Sequence, residues 1–155
     1  MNYVMQQWQR WRGHALGRWL FTRMIGFRAP YFHSIHARFE LLEAWQARVH
    51  VPHRRSVTNH IGTVHAIAMT NACELAAGVM MEASLPAALR WIPKAMQVQY
   101  LLKADGGIRA QAHCHPVSQM GSGDVEVYCE VRDAREQLVM KAVITMYVSP
   151  RTRRT

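Results

Sequence analysis
The residues best suited to chemistry in this chain are Asn59, His65 and Glu74. Asn59-His60-Ile61-Gly62-Thr63-Val64-His65 reads as a polar loop running into a helix, and Glu74 follows nine positions after His65 within the apolar run Ala72-Cys73-Glu74-Leu75-Ala76-Ala77-Gly78. A loop amide can orient a polar substrate. The first N–H groups of a helix lack intrahelical acceptors and lie at the positive end of its dipole, which suits a developing oxyanion. A carboxylate among apolar side chains is a strong base because burial disfavours its charged form. These are parts from which a thioester-cleaving site could be built. Thr70 and Asn71, at i−4 and i−3 from Glu74, are placed to hold the carboxylate or a water. At about 100° per residue, His65 and Glu74 face opposite sides of one helix. Two chains packed about a twofold axis bring both to one substrate more easily than one chain does.

The elements that must position these residues are legible in the apolar period. Met5, Trp8, Trp11, Ala15, Leu16, Trp19, Leu20 and Met24 recur at helical steps, which predicts one helix over 1–26, ended by Gly26 and Ala29-Pro30. Two extended segments are expected near 33–42 and 45–51, then a polar loop over 52–63. A second helix, apolar on most sides, is expected over 64–83. Beyond Pro86 and Pro93 the period becomes two, with strands around Met96–Leu102, Ile108–Cys114, Val125–Val131 and Leu138–Met146. Turns at Asp105-Gly106-Gly107, Gly121-Ser122-Gly123 and Asp133-Ala134-Arg135-Glu136 make the last four strands a meander of antiparallel hairpins. About six strands with a single apolar helix must wrap that helix to bury it. This is an α+β chain of hotdog architecture: an antiparallel sheet round one long central helix, with an extra N-terminal helix. It divides into an amphipathic helix at 1–30, the hotdog domain at 31–150 and a basic tail at 151–155. Sheet edges of this kind are usually covered by a second copy.

Composition narrows the partners. With 155 residues, half of them apolar, the chain suits one domain with a real core. A formal charge of +9 favours an anionic partner, be it nucleic acid, anionic lipid or a phosphate-bearing small molecule. Cys73, Cys114 and Cys129 have no CxxC spacing and read as buried free thiols of a reducing cytoplasm. No run is apolar enough to span a membrane, and no secretory signal is evident. Gly-x-Ser-x-Gly, Walker A and GxGxxG motifs are missing, which excludes the corresponding hydrolase, NTPase and dinucleotide readings. His113 and His115 share a strand face without an acidic neighbour, so no metal is expected.

Asn59-x-x-Gly62-Thr63-x-His65, with an acid nine residues on, resembles hotdog-fold acyl-CoA thioesterases of the phenylacetate-pathway and human thioesterase-superfamily type. The segment Asn59 to Gly78 resembles the DUF4442 branch still more closely. The order of elements is similar over about 30–149; the sharp motif covers 59–78. The resemblance implies hydrolysis of an acyl- or aryl-CoA to free acid and CoA, with no cofactor beyond the CoA of the substrate. It implies that Asn59 and His65 lie at the mouth of one subunit, that the N–H of Ala66 polarises the thioester carbonyl, and that Glu74 comes from the partner as general base or nucleophile. Gly62 and Thr63 fall within the same frame. His65-Ala66-Ile67 stands where these enzymes commonly carry His-Gly-Gly, and Trp91-Ile92-Pro93-Lys94 lacks the hydroxyl they often place after the central helix.

For the CoA phosphates the candidates are Arg54, Arg55, Lys94, Lys103 and Arg109. A homodimer is expected, with tetramer formation left open. The competing reading is a non-catalytic acyl-CoA or lipid-binding protein, motivated by the missing glycines and hydroxyl. A DNA-binding regulator is disfavoured because the N-terminal segment holds one helix, too little for a helix-turn-helix. A hotdog hydratase is disfavoured for want of an Asp-x-Asn-x-x-His signature. The Trp- and Arg-rich helix at 1–26 can be read as lying on an anionic membrane, though packing over the cleft or dimer is the commoner explanation.

Overall fold
The computed structural model describes residues 2–117 and 122–151. Gly121 of one expected turn and residues 152–155 of the expected tail lie outside them. The chain opens with two helices, α1 (Tyr3–Trp11) and α2 (Ala15–Arg28), and a 3₁₀ turn at Pro30–Ile35. The single helix expected over 1–26 is therefore broken at Arg12-Gly13-His14. Arg18 Nη1 donates to the Arg12 carbonyl at 3.1 Å across the break. Gly17 passes so near Trp11 that a Cβ there would stand 2.0 Å from its carbonyl oxygen. Nor does Gly26 end α2. It packs under the His33 ring, where a Cβ would meet Cδ2 at 2.0 Å.

The next strand starts later than expected because Pro30 opens the 3₁₀ turn and His36 takes a left-handed conformation (φ 50°). Strands β1 (Arg38–Glu43) and β2 (Gln46–Val51) then form a hairpin. Trp8, Phe21 and Phe39 meet edge to face at centroid distances of 5.2, 6.4 and 5.4 Å, fastening both N-terminal helices to β1. The apolar period survives the helix break because both pieces serve this cluster.

The central helix α3 spans Ala66–Ser84, and four strands follow: β3 (Leu89–Tyr100), β4 (Ile108–His113), β5 (Gly123–Arg132) and β6 (Leu138–Pro150). The sheet order is β1-β2-β4-β5-β6-β3, antiparallel throughout. The meander expected over the last four strands is a correction in part: only β4-β5-β6 form one, and β3 pairs with β6 at the far edge. β3 also begins at Leu89, well before Met96, and runs through Pro93 with a register shift between Pro93 and Ala95. Proline is tolerated there because β3 is an edge strand.

α3 lies against β2 and β4. Ala72, Ala76 and Ala77 on the helix and Ala47, Ala110 and Ala112 on the strands are all fully buried, and such small residues permit close approach. Leu75, Met80 and Met81 are buried as completely; each contributes roughly 1.5–3 kcal/mol.

Candidate active site
The loop before α3 is closed on itself. Asn59 N–H donates to the Thr63 carbonyl at 2.9 Å, and Gly62 N–H donates to the Asn59 carbonyl at 3.1 Å. The Asn59 side chain works from inside this turn: Oδ1 accepts from Ile61 N–H and Thr63 N–H, both at 3.1 Å, and Nδ2 donates to Thr63 Oγ1 at 2.8 Å. One amide hydrogen of Asn59 is left over. Gly62 sits at φ 82°, a conformation that side chains disfavour. His53 Nε2 meets the Gly62 carbonyl at 2.9 Å, and His65 N–H donates to Val57 at 2.8 Å. The segment is a rigid clamp.

His65 caps α3. Its Nδ1 accepts the Ile67 N–H at 3.0 Å, which leaves the proton on Nε2, facing solvent. Among the described residues the Ala66 N–H has no acceptor, as expected of a first-turn donor. Helix α3 is unbroken from Ala66 to Ser84, so Glu74 stands about 13 Å along the axis from His65 and half a revolution round it.

Glu74 lies on the stripe Ile67-Thr70-Glu74-Gly78-Glu82, the face of α3 beside β3. Trp91 approaches Gly78, and Tyr100 approaches Thr70. Glu74 is half-buried. Among the described residues, the carboxylates without a hydrogen bond or ion pair are Glu74 and Glu43, and Glu43 is exposed at a hairpin end. The thiols are poor competitors for chemistry. Burial pushes the Cys114 thiol up to about 11, and Cys73 is raised by its bond to Cys129 and by burial.

In the protomer neither Thr70 nor Asn71 holds Glu74. Thr70 Oγ1 donates to the Ala66 carbonyl at 3.1 Å and meets Tyr100 Oη at 2.9 Å. A threonine has one hydroxyl hydrogen, so Tyr100 is the donor in that second bond and keeps its lone pairs free. Asn71 Nδ2 reaches Ser34 Oγ at 3.4 Å, and its buried Oδ1 has no partner. Tyr100 is the residue that sequence reasoning missed. Attention to the first residues after the helix, and to Ser or Thr alone, passed over a hydroxyl at the end of the same strand.

The expected cations divide. Lys94 pairs with Asp124 at 2.7 Å, and Arg109 pairs with Glu40 at 3.0 Å and Glu136 at 3.5 Å. Arg54, Arg55 and Lys103 are exposed, and no described carboxylate pairs with them. Arg54 and Arg55 adjoin the clamp. His113 stacks on Tyr128 at 5.8 Å.

Below Glu74, the C-terminal half of α3 borders a cavity of about 1200 Å³ walled by α1, α2 and the start of β3. Met24, Phe32, Val79 and Trp91 give it apolar walls, and Arg28, Arg90 and Arg151 lie around it. Trp91 Nε1 donates to Glu82 Oε2 at 3.1 Å, and Arg151 Nη2 meets Glu82 Oε1 at 3.2 Å. The Asn2 side chain donates to the Glu82 carbonyl.

A six-stranded antiparallel sheet holding one long helix, entered through a capped loop, defines a hotdog-fold protein. The chain belongs to the DUF4442 family, a domain of unknown function, whose profile matches residues 17–148. It is 44% identical to a protein solved in a structural-genomics programme, over 96% of this chain and 99% of that one, with a TM-score of 0.83. A probable thioesterase of Pseudomonas aeruginosa is 21% identical over 81% of this chain and 91% of its own, with a TM-score of 0.75. A thioesterase family protein of Silicibacter pomeroyi is 15% identical over 83% and 96%, with a TM-score of 0.71. The last two likenesses show a shared fold. No curated protein matches the sequence.

Proposed function
We propose that the protein hydrolyses an acyl-CoA or aryl-CoA thioester to the free acid and CoA, with Glu74 acting on a substrate held between two protomers. The observation that carries this reading is the half-buried, unpartnered carboxylate of Glu74 in the cleft beside β3. A carboxylate left without hydrogen bonds keeps its basicity for the substrate. The thioesterase names of the structural neighbours support the same chemistry.

The proposed site is shared. His65 and Glu74 face apart on one rigid helix, so a single protomer does not present both to one carbonyl. The twelve-residue strand β3 is an edge, exposed along most of its length. Long bare edges are normally covered, and a second copy covers this one if the dimer forms there. The partner then supplies the spare Asn59 amide hydrogen, His65 and the Ala66 N–H, which stabilises the oxyanion as the carbonyl carbon becomes tetrahedral. Glu74 takes a proton from the attacking water, or adds to the carbonyl carbon itself to give an anhydride that water opens. In either case CoA leaves as the thiolate and is protonated. Label in the Glu74 carboxylate after a single turnover in ¹⁸O water marks an anhydride that water opens at the Glu74 carbonyl, whereas direct attack of water on the thioester puts the label in the product acid alone. Arg54 and Arg55, beside the clamp, are the proposed contacts for the CoA phosphates. The cavity under Gly78 is the proposed seat of the acyl group.

The experiment is a thiol-release assay over a panel of acyl-CoAs with wild type and Glu74→Gln. Turnover by wild type and a loss of about two orders of magnitude in the variant are expected. Unchanged rates in Glu74→Gln would sink the mechanism. Stoichiometric retention of acyl-CoA without turnover would select the second reading, a binding protein. That reading draws on the exposed Ile67 side chain crowding the helix start.

A further inference from the structure
Residues 1–39 contain no Asp or Glu but carry Arg10, Arg12, Arg18, Arg23, Arg28 and Arg38. Within this acid-free segment α2 has two faces. Gly17, Phe21 and Ile25 are buried against the rest of the protein. At about 100° per residue, Leu16, Trp19, Leu20, Arg23 and Phe27 fall within an arc about 100° wide on the opposite side. They are open to solvent: Phe27 is 84% exposed, Leu16 65%, Trp19 44% and Leu20 43%, with Tyr31 just past the helix at 68%. Arg23 places its guanidinium 5.7 Å from the Trp19 ring. Scattered exposed apolar side chains need no explanation, but an apolar face with Arg23 within it and Arg18 and Arg38 beside Trp19 does.

The charge selects the partner. A second copy of this face would set arginine against arginine, and like charges disfavour that pairing; the carboxylate beside Leu16 and Trp19, Glu40, is already paired with Arg48 and Arg109. Nucleic acid would use the arginines but has little use for Leu16 and Leu20. A bilayer with anionic headgroups uses both: apolar side chains settle beneath the headgroups while guanidinium groups pair with phosphate. We propose that the outer face of α2 docks on an anionic phospholipid surface. Met24, Ile25 and Arg28 of the same helix wall the large cavity from its other side, so docking would leave α2 between the lipid and that cavity. The inference rests on the exposure and charge of α2 and not on the chemistry of Glu74.

Co-sedimentation with vesicles tests it. Wild type should pellet with mixed phosphatidylglycerol–phosphatidylcholine vesicles, release as salt rises, and stay in solution with phosphatidylcholine alone. Leu20→Asp/Phe27→Asp should weaken binding by at least about tenfold, with an unchanged melting temperature because both side chains are exposed. Three results would overturn the proposal: no pelleting on anionic vesicles, equal pelleting on neutral ones, or a double variant that binds like wild type. Sedimentation velocity adds a fourth. If the double variant loses assembly mass and wild type ignores vesicles, the face joins copies of this chain instead. Activity on a short, water-soluble acyl-CoA reads the proposed hydrolysis separately, so the two ideas fail independently.

Discussion

The clamp at residues 57–65 leads into α3 and the cleft at Glu74 lies along it, and the two treat polar groups in opposite ways. In the clamp the polar side chains that matter are engaged: Asn59 makes three side-chain hydrogen bonds, and His65 gives its Nδ1 to the helix. In the cleft a carboxylate stands without a described partner while Tyr100 and Thr70 bond one turn away. The difference separates holding from reacting. Satisfied groups fix geometry, and the unsatisfied one keeps its free energy for a ligand.

The sharpest way to break this contrast is to substitute each side and read both activity and stability. Glu74→Gln should lower kcat by about a hundredfold or more with an unchanged melting temperature, because the change removes a base and no contact. Asn59→Ala should do something different. It strips the turn of its internal acceptor and donor, so about 1–3 kcal/mol of stability should go along with activity. Chemical denaturation of the two variants checks this; equal destabilisation would erase the distinction.

Subunit mixing sharpens the comparison by asking whether clamp and carboxylate belong to different chains at each site. Random exchange between Glu74→Gln and Asn59→Ala should restore about a quarter of wild-type activity, since half the dimers are mixed and each holds one complete site. No recovery, with exchange shown by mass spectrometry, would put the site in one chain.

Smaller effects belong to the cleft's neighbours. Tyr100→Phe keeps the ring and the Thr70–Ala66 bond, so a drop of roughly threefold to tenfold in kcat is expected if the phenol orients water or substrate. A purely structural tyrosine would shift the melting temperature and leave kcat alone. The weakest effect concerns Arg54 and Arg55. KM for acyl-CoA should rise with ionic strength as the Debye length shrinks from about 10 Å at 0.1 M toward 3 Å at 1 M. An acyl-pantetheine thioester without the nucleotide phosphates should respond far less. Equal responses would remove these arginines from CoA recognition.

The same contrast explains what the sequence disclosed. Local signals were legible: Ala66–Ser84 is apolar on most sides, His65 precedes it as a cap, and strands β4 to β6 alternate plainly. Interactions between distant residues were not. Nothing in the period of two says whether β3 pairs with β4 or crosses to β6, because both pairings bury the same face. The break after Trp11 was hidden because Trp8 and Phe21 join one aromatic cluster from two helices. Tyr100 became a neighbour of Thr70 only through the return of β3 along α3. For Glu74 the sequence marked an unusual place for an acid; whether a partner waited nearby depended on packing.

The absent side chain at position 78 has an evolutionary consequence. A Cβ there would come within 2.9 Å of the Trp91 ring, and that ring is tethered through Nε1 to Glu82. Alanine would therefore press on an indole that is held at its other end. If the acyl group passes this point on its way to the cavity, the length of chain that fits is tuned by the smallest change a side chain can undergo. Relatives that differ at this pair should then differ in chain-length preference while keeping their reacting groups intact.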